Sequence, residues 1–162
     1  MLVRMKDDYD GPEPSANSVA ALNLLRLWQI TNRTGWRDKA DATFGAFSDR
    51  LRSQGTAVPQ LAAALEFSLS KPKQIIIAGE PGAADTKAIL RLVFDRFIPN
   101  KVLLLADGGA AQRQLAGWQP AIESITRRNG RATAYICEDY VCRLPTSDPG
   151  IAAQLLDGTW KP

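Results

Sequence analysis

Apolar positions in the first 70 residues follow the period of an α-helix. Residues 18–30 form a Leu-rich run with only three strongly polar breaks, which predicts a first helix buried over most of its circumference. A second helix is indicated by a one-sided apolar stripe, made of Trp36, Ala40, Phe44, Phe47 and Leu51. Gly55 is expected to end it, and a third helix is expected from about Pro59. The predicted hairpin and third helix leave the first helix short of neighbours, so we expect something else to cover it.

The pattern changes at Lys71–Pro72 to short apolar strands that alternate with helices. "QIIIAG" and "KVLLLAD" are continuous apolar runs of the kind found in buried parallel strands. Between them, "ADTKAILRLVFDRF" has helical spacing, with its apolar face at Ile89, Leu90, Val93, Phe94 and Phe97. A helix over about 110–127, a strand "ATAYIC", a tight turn with a short strand "YVCRL", and a last helix capped by Asp148 are expected to follow.

These elements predict a mixed α/β fold with two parts. Residues 1–71 form the helical segment, and residues 72–162 form a small three-layer α/β domain. The order β-α-β-α-β-β-α in the second part is the order of thioredoxin-like folds.

Composition excludes several kinds of chemistry. The chain has no histidine, so it cannot build a Ser-His-Asp triad, a histidine general base or a histidine-ligated metal site by itself. Two cysteines cannot complete a structural zinc site, and we therefore predict no metal and no cofactor. The net charge of +3 and the short cluster "ITRRNGR" do not form a basic face for nucleic acid.

No apolar run approaches the roughly 18 residues of a membrane span, so no membrane partner is expected. The first residues, "MLVRMKDDYD", lack the apolar region of a signal peptide, and a cytoplasmic location is expected.

The stretch "DGPEPSANSVAALNLLRL" carries more polar groups than a helix start requires. Ser15 or Asn17 can cap the first helix. One interpretation is a cap alone. The other is a cap that also forms a pocket wall, with Asp10, Glu13, Ser15 and Asn17 facing a substrate.

The loop "GEPGAADT" follows the first strand and opens a helix, where backbone amides can hold an anion. Its candidate anion-binding residues are Gly79, Gly82, Asp85 and Thr86. The loop matches neither of the common glycine-rich phosphate motifs, and the alternative is that these residues serve the turn and the helix start. "ADGGAAQ" after the second strand allows the same two interpretations.

Cys137 and Cys142 face each other if Asp139 and Tyr140 form a two-residue hairpin loop. Either a disulfide or a pair of reduced thiols fits this register. The absence of a C-x-x-C motif argues against redox catalysis.

Three segments resemble one known family. "LVRMKDDYDGPEPSANSVAALNLLRL", "IIIAGEPGAADTKAILRLVFDRFIPNKVLLLADGG" and "ATAYICEDYVCRLPTSDP" are similar to the spermatogenesis-associated, thioredoxin-domain-containing protein family, and the resemblance covers nearly the whole chain. It implies a longer parent with an N-terminal thioredoxin-like domain and an (α/α)6 toroid similar to N-acylglucosamine 2-epimerases and six-hairpin glycosidases. The chain would be the C-terminal fragment of such a parent.

Single positions carry the resemblance further. Asp10, Ser15 and Asn17 match the family's D-G-x-x-P-S-x-N-S stretch at the inner rim of the toroid, and the two cysteines match a family pair. Ala16 stands where glycine is usual. Ala132 stands where a proline is common, which further weakens a redox interpretation.

The function implied is that of a non-catalytic part of a carbohydrate-active toroid protein, whose parent is similar to sugar epimerases, isomerases or glycosidases. Its expected partners are the rest of the parent polypeptide or another subunit, with a sugar bound in the parent. The alternative is a non-enzymatic interaction module that forms homo-oligomers. A weaker alternative is an anion or nucleotide binder that uses "GEPGAADT".

Overall fold

The computed structural model describes residues 9–139 and 141–160. The chain divides into two compact units, Met1–Ser70 and Lys71–Pro162. The helices are α1 Ala16–Thr31, α2 Thr34–Ala46, α3 Ser48–Ser53, α4 Pro59–Leu69, α5 Ala84–Phe94, α6 Ala110–Ala116 and α7 Pro149–Asp157. The strands are β1 Lys73–Ala78, β2 Lys101–Ala106, β3 Thr133–Glu138 and β4 Val141–Cys142, and two 3-10 turns cover Gly55–Ala57 and Pro120–Ser124.

The first unit is built around α1, which packs against α2 and α4. Ser15, one of the two cap candidates in the sequence, is the N-cap of α1, and its hydroxyl accepts the N–H of Ser18 at 3.2 Å. The helix buries a single face, which includes Ala21 and Leu25. Buried and half-buried residues occupy most of the circumference of α1, as predicted, and apolar side chains are exposed on the remaining side.

The second predicted helix is interrupted. It ends at Ala46, Phe47 leaves the helical conformation with φ −112° and ψ 18°, and the chain resumes as α3. Gly45, a weak helix former, stands just before the break. Gly55 does not end a helix directly but begins a 3-10 turn. Pro59 is the first residue of α4, as expected, since its missing N–H costs nothing there.

The second unit is a four-stranded mixed sheet in the order β2-β1-β3-β4. β1 is parallel to β2 and antiparallel to β3, and β3 forms an antiparallel hairpin with β4. The predicted α/β class and the order β-α-β-α-β-β-α are confirmed. None of the described helices is long and apolar enough to cross a bilayer.

Successive residues of β1 point to opposite faces of the sheet and enter two separate cores. Ile75 and Ile77 pack in a core with residues of α5 and α7. Ile76 and Ala78 pack on the other face, where Ile122 lies in the 3-10 turn Pro120–Ser124. The unit therefore has helical layers on both faces of the sheet.

Two predicted helices of the second unit are shorter than expected. α5 ends at Phe94, and the side chains of Phe94 and Phe97 are 69% and 94% exposed, so these two residues do not belong to the predicted core face. The single helix expected over 110–127 stops at Ala116, and Pro120 begins a 3-10 turn instead. Proline lacks the N–H that a helix interior requires, which accounts for the interruption.

Candidate functional site

Asp10 fastens the segment before α1 to the start of α4. One carboxylate oxygen accepts the N–H of Ser15 at 2.8 Å, and the other accepts the N–H groups of Gln60 at 2.9 Å and Leu61 at 3.3 Å. Burial by itself would raise the pKa of this carboxyl group, but the donated hydrogen bonds outweigh it and the pKa lies below its ordinary value of 3.8. Asp10 therefore acts as a shared cap for two helices.

The four residues predicted to face a substrate fall into two groups. Asp10 and Ser15 are buried, and their polar atoms bond to the chain itself, while their substrate-facing role stays a prediction. Glu13 is exposed and Asn17 is half-buried. Of the four, the latter two are at least partly exposed.

The loop after β1 is closely packed around Thr86. A Cβ on Gly79 would lie 2.9 Å from the Thr86 Cγ2 atom and would clash with its hydroxyl, so only glycine fits there. Gly82 has φ +84°, which glycine adopts without strain. Thr86 is buried, and its Oγ1 has no hydrogen-bond partner among the described residues. Gly79, Gly82 and Thr86 thus serve the turn and its packing.

Asp85 connects the same loop to Ala132, the residue before β3. Its carboxylate accepts the N–H of Ala132 at 2.7 Å and the N–H of Thr86 at 2.8 Å. The hydrogen bond from Ala132 is the main reason why the pKa of Asp85 lies below its ordinary value. A carboxylate across the first turn of α5 repels an added anion, so these contacts disfavour the predicted anion loop.

A cavity of about 870 Å³ lies at the carboxyl ends of β1 and β2. Gly79 and Ala106 mark the strand ends, and the "ADGG" loop, α6 and the segment 123–130 supply the walls. Ligands of open α/β sheets bind at this edge of the sheet. Among the predicted anion-loop residues, Gly79 alone lines the cavity.

Gln112 holds the walls of the cavity together. Its buried side chain donates to the carbonyl groups of Ile122 and Ile125, both at 2.9 Å, and accepts the N–H of Gly108 at 2.7 Å. One amide thereby connects α6, the 3-10 turn and the "ADGG" loop. No local pattern in the sequence marks Gln112 for this role, because its acceptors lie 10 and 13 residues further along the chain.

The hairpin β3–β4 has the predicted register, with Cys137 opposite Cys142 and Glu138 opposite Val141. The structure joins Cys137 and Cys142 by a disulfide, with a Cα–Cα distance of 3.8 Å. Asp139 begins the loop with φ 49°, and Tyr140 lies outside the described residues. Cys137 is buried whereas Cys142 is exposed.

The exposed residues of α1 lie on one side of the helix. At 100° per residue they fall within an arc of about 120°, and four of the six are apolar. We call this set the α1 stripe: Ala16, Val19, Ala20, Asn23, Arg26 and Leu27. Val19 and Leu27 are each 39% exposed. The stripe is a contiguous, largely apolar surface on the helix that the sequence predicted to be the most buried.

The described residues do not bring together the groups of a metal centre. Within 9–139 and 141–160, no cluster of three or more His, Cys, Asp or Glu side chains could hold an ion.

Comparison with known proteins identifies the family. Spermatogenesis-associated protein 20 of Rattus norvegicus is 46% identical to this chain over 157 residues, which is 95% of the chain, and the Homo sapiens protein of the same name is 45% identical over the same share. The chain belongs to the spermatogenesis-associated protein 20 family. An uncharacterized protein of Caenorhabditis elegans is also similar, with 30% identity over 88% of the chain.

The members of the spermatogenesis-associated protein 20 family are much longer than this chain. It spans about a fifth of their length, namely 19% of the rat protein and 20% of the human one. No family model matches the chain, and no solved structure matches it either.

Proposed function

We propose that this chain is a non-catalytic part of a larger protein of the spermatogenesis-associated protein 20 family, and that its helical unit docks on the rest of that polypeptide. The observation that carries the proposal is the α1 stripe, a largely apolar exposed surface on the helical unit. The related rat protein is much longer than this chain and therefore has further polypeptide that could cover the stripe. Contiguous apolar surface of this kind is typical of protein–protein contacts.

The residues support a structural role for the helical unit. The buried carboxylate of Asp10 is occupied by three backbone N–H groups, and the chain contains no histidine. Neither feature suits general acid–base catalysis, which needs a proton-transferring group open to the substrate.

The family resemblance adds a pocket to this proposal. If the rest of the parent forms an (α/α)6 toroid, the segment before α1 lies at its inner rim. The buried Asp10 and Ser15 then fix the segment to the helical unit, while Glu13 and Asn17 face a sugar. The second unit would serve as a scaffold or a second docking surface, and the exposed Phe94 and Phe97 support the latter. On this account the chain by itself neither binds nor turns over sugars, and turnover by the chain alone would contradict it.

The test is a complementation experiment with a long relative. The rat protein is produced without the segment that matches this chain, and the purified chain is added to it. We expect a one-to-one complex by size-exclusion chromatography with light scattering. The excised rat segment serves as the positive control.

Substitutions on the α1 stripe decide whether this surface makes the contact. Val19→Asp together with Leu27→Asp is expected to weaken the complex about tenfold or more, because two apolar side chains at the interface become charged. Ala42→Asp, at an exposed position of α2, is the matched control and should leave binding unchanged. Binding of the rat segment but not of this chain would refute the proposal. Self-association of the chain without binding to the rat protein would favour the homo-oligomer alternative.

A further inference from the structure

The cavity in the second unit is lined by side chains of both charges, and no ion pair joins two of these lining residues within the described part of the chain. Arg113 and Glu123 line it, and neither has an ion-pair partner among the described residues. Arg127 is also at the cavity, and its guanidinium lies 3.6 Å from a carboxylate oxygen of Glu80. This exposed pair is weak, and it leaves further N–H donors of Arg127 for a ligand.

The cavity also has carboxylate groups that can accept hydrogen bonds from a ligand. Asp107 follows β2 directly, and one of its carboxylate oxygens accepts the N–H of Gly109 at 2.7 Å. This bond fixes the side chain while the second oxygen can accept a donor from a ligand. With Glu123, the cavity offers carboxylate acceptors as well as guanidinium donors.

The walls are fixed before any ligand arrives. Gln112 bonds to three backbone groups in the "ADGG" loop and at the 3-10 turn, and Tyr135 donates its hydroxyl to the carbonyl of Thr126 at 2.8 Å. Gly108 has φ +77°, so the backbone of the "ADGG" loop is shaped by a residue without a side chain. A volume of about 870 Å³ is within the range of pockets that hold small organic ligands.

We propose that this cavity binds a small organic anion of the size of a nucleoside monophosphate. Arg113 and Arg127 hold its phosphate, since guanidinium groups bind phosphate through paired hydrogen bonds. Asp107 and Glu123 accept hydrogen bonds from hydroxyl or amino groups at the other end of the ligand. Ile125 and the alanines at positions 106 and 116 supply apolar contact for its ring. The proposal is independent of the docking role, because every residue involved lies in the second unit.

The experiment is an NMR titration of the isotope-labelled chain with adenosine monophosphate, and separately with adenosine and with inorganic phosphate. We expect adenosine monophosphate to shift the amide signals of residues 106–113 and 123–130 in a saturable way. Adenosine and phosphate should each bind at least about tenfold more weakly, because each engages one side of the cavity.

Two variants separate the cavity from general charge attraction. Arg113→Gln should weaken binding about tenfold or more, since it removes a charged donor to the phosphate. Arg91→Gln is the matched control, because Arg91 is exposed on α5 and does not line the cavity. The amide spectrum of each variant verifies that it is folded.

Several results would overturn the proposal. These are the absence of saturable shifts at about 10 mM ligand, shifts located away from the cavity, equal weakening by the two variants, or phosphate binding as tightly as adenosine monophosphate.

Discussion

Replacement of Asp10 by alanine should destabilise the helical unit by about 3 kcal/mol. The carboxylate accepts N–H groups from Ser15, Gln60 and Leu61, at 2.8, 2.9 and 3.3 Å. Loss of a hydrogen bond to a charged group costs about 1.5–3 kcal/mol, and loss of an N-terminal cap about 0.5–2 kcal/mol. These contributions are not additive, and the longest hydrogen bond is weak. The expected loss of stability is therefore well below the sum of three separate hydrogen-bond energies.

Asp10→Asn should cost less, about 1–2 kcal/mol, because its amide retains one acceptor oxygen but carries no charge. The matched control is Glu13→Ala, which removes an exposed carboxylate three residues away and should change the stability by less than about 0.5 kcal/mol. The assay is urea unfolding followed by circular dichroism at neutral pH.

The pH dependence provides a second readout. The pKa of Asp10 is lower in the folded state, so the ionised carboxylate contributes stability above its ordinary pKa of 3.8. This contribution is lost as the pH falls through the folded pKa. The stability difference between the wild type and Asp10→Asn should therefore be constant near neutral pH and shrink below about pH 4. Equal stability of Asp10→Ala and Glu13→Ala, or a difference that does not shrink in acid, would refute the capping role.

Three further predictions concern the second unit. Gly79→Ala should destabilise it by about 1–3 kcal/mol through overpacking against Thr86, and adding Thr86→Ala should recover part of the loss in urea unfolding; no recovery would contradict the proposed clash. Gln112→Leu should cost about 2–4 kcal/mol because three backbone groups lose their partner, and an unchanged thermal midpoint would show that water replaces the amide. Cys142→Ser should lower the free energy of unfolding by about 2 kcal/mol, because it opens the short loop that the disulfide with Cys137 closes. Reduction of the wild type should add the mass of two hydrogen atoms, and no such gain in mass spectrometry would contradict the disulfide.

Local sequence rules predicted the features that depend on neighbouring residues. Ser15 and Asp148 cap α1 and α7, and Pro59 begins α4, because each role is decided within one helical turn. The hairpin register follows in the same way from the two residues between Glu138 and Val141.

Local signals in the sequence bear on two further features of the second unit. Pro120 lies inside the helix expected over 110–127, and a proline at that position rules out a continuous helix. Phe94 and Phe97 fit the helical spacing, but spacing does not show whether another element covers a side chain, and in this chain neither is covered.

Features that join distant parts of the chain could not be predicted. Asp10 caps α4 through Gln60 and Leu61, which lie about 50 residues further along. The cavity combines the end of β1 with residues up to Gly130, and its walls depend on the Gln112 amide. Such contacts follow from the packing of whole elements, which composition and periodicity do not specify.

The most direct test of the docking role is the affinity of this chain for the rat protein that lacks the matching segment. We expect a one-to-one complex that Val19→Asp with Leu27→Asp weakens about tenfold or more while Ala42→Asp does not. The docking role would be contradicted if the shortened rat protein bound its own excised segment but not this chain. It would also be contradicted if the wild-type chain, the Val19→Asp/Leu27→Asp variant and the Ala42→Asp variant bound equally.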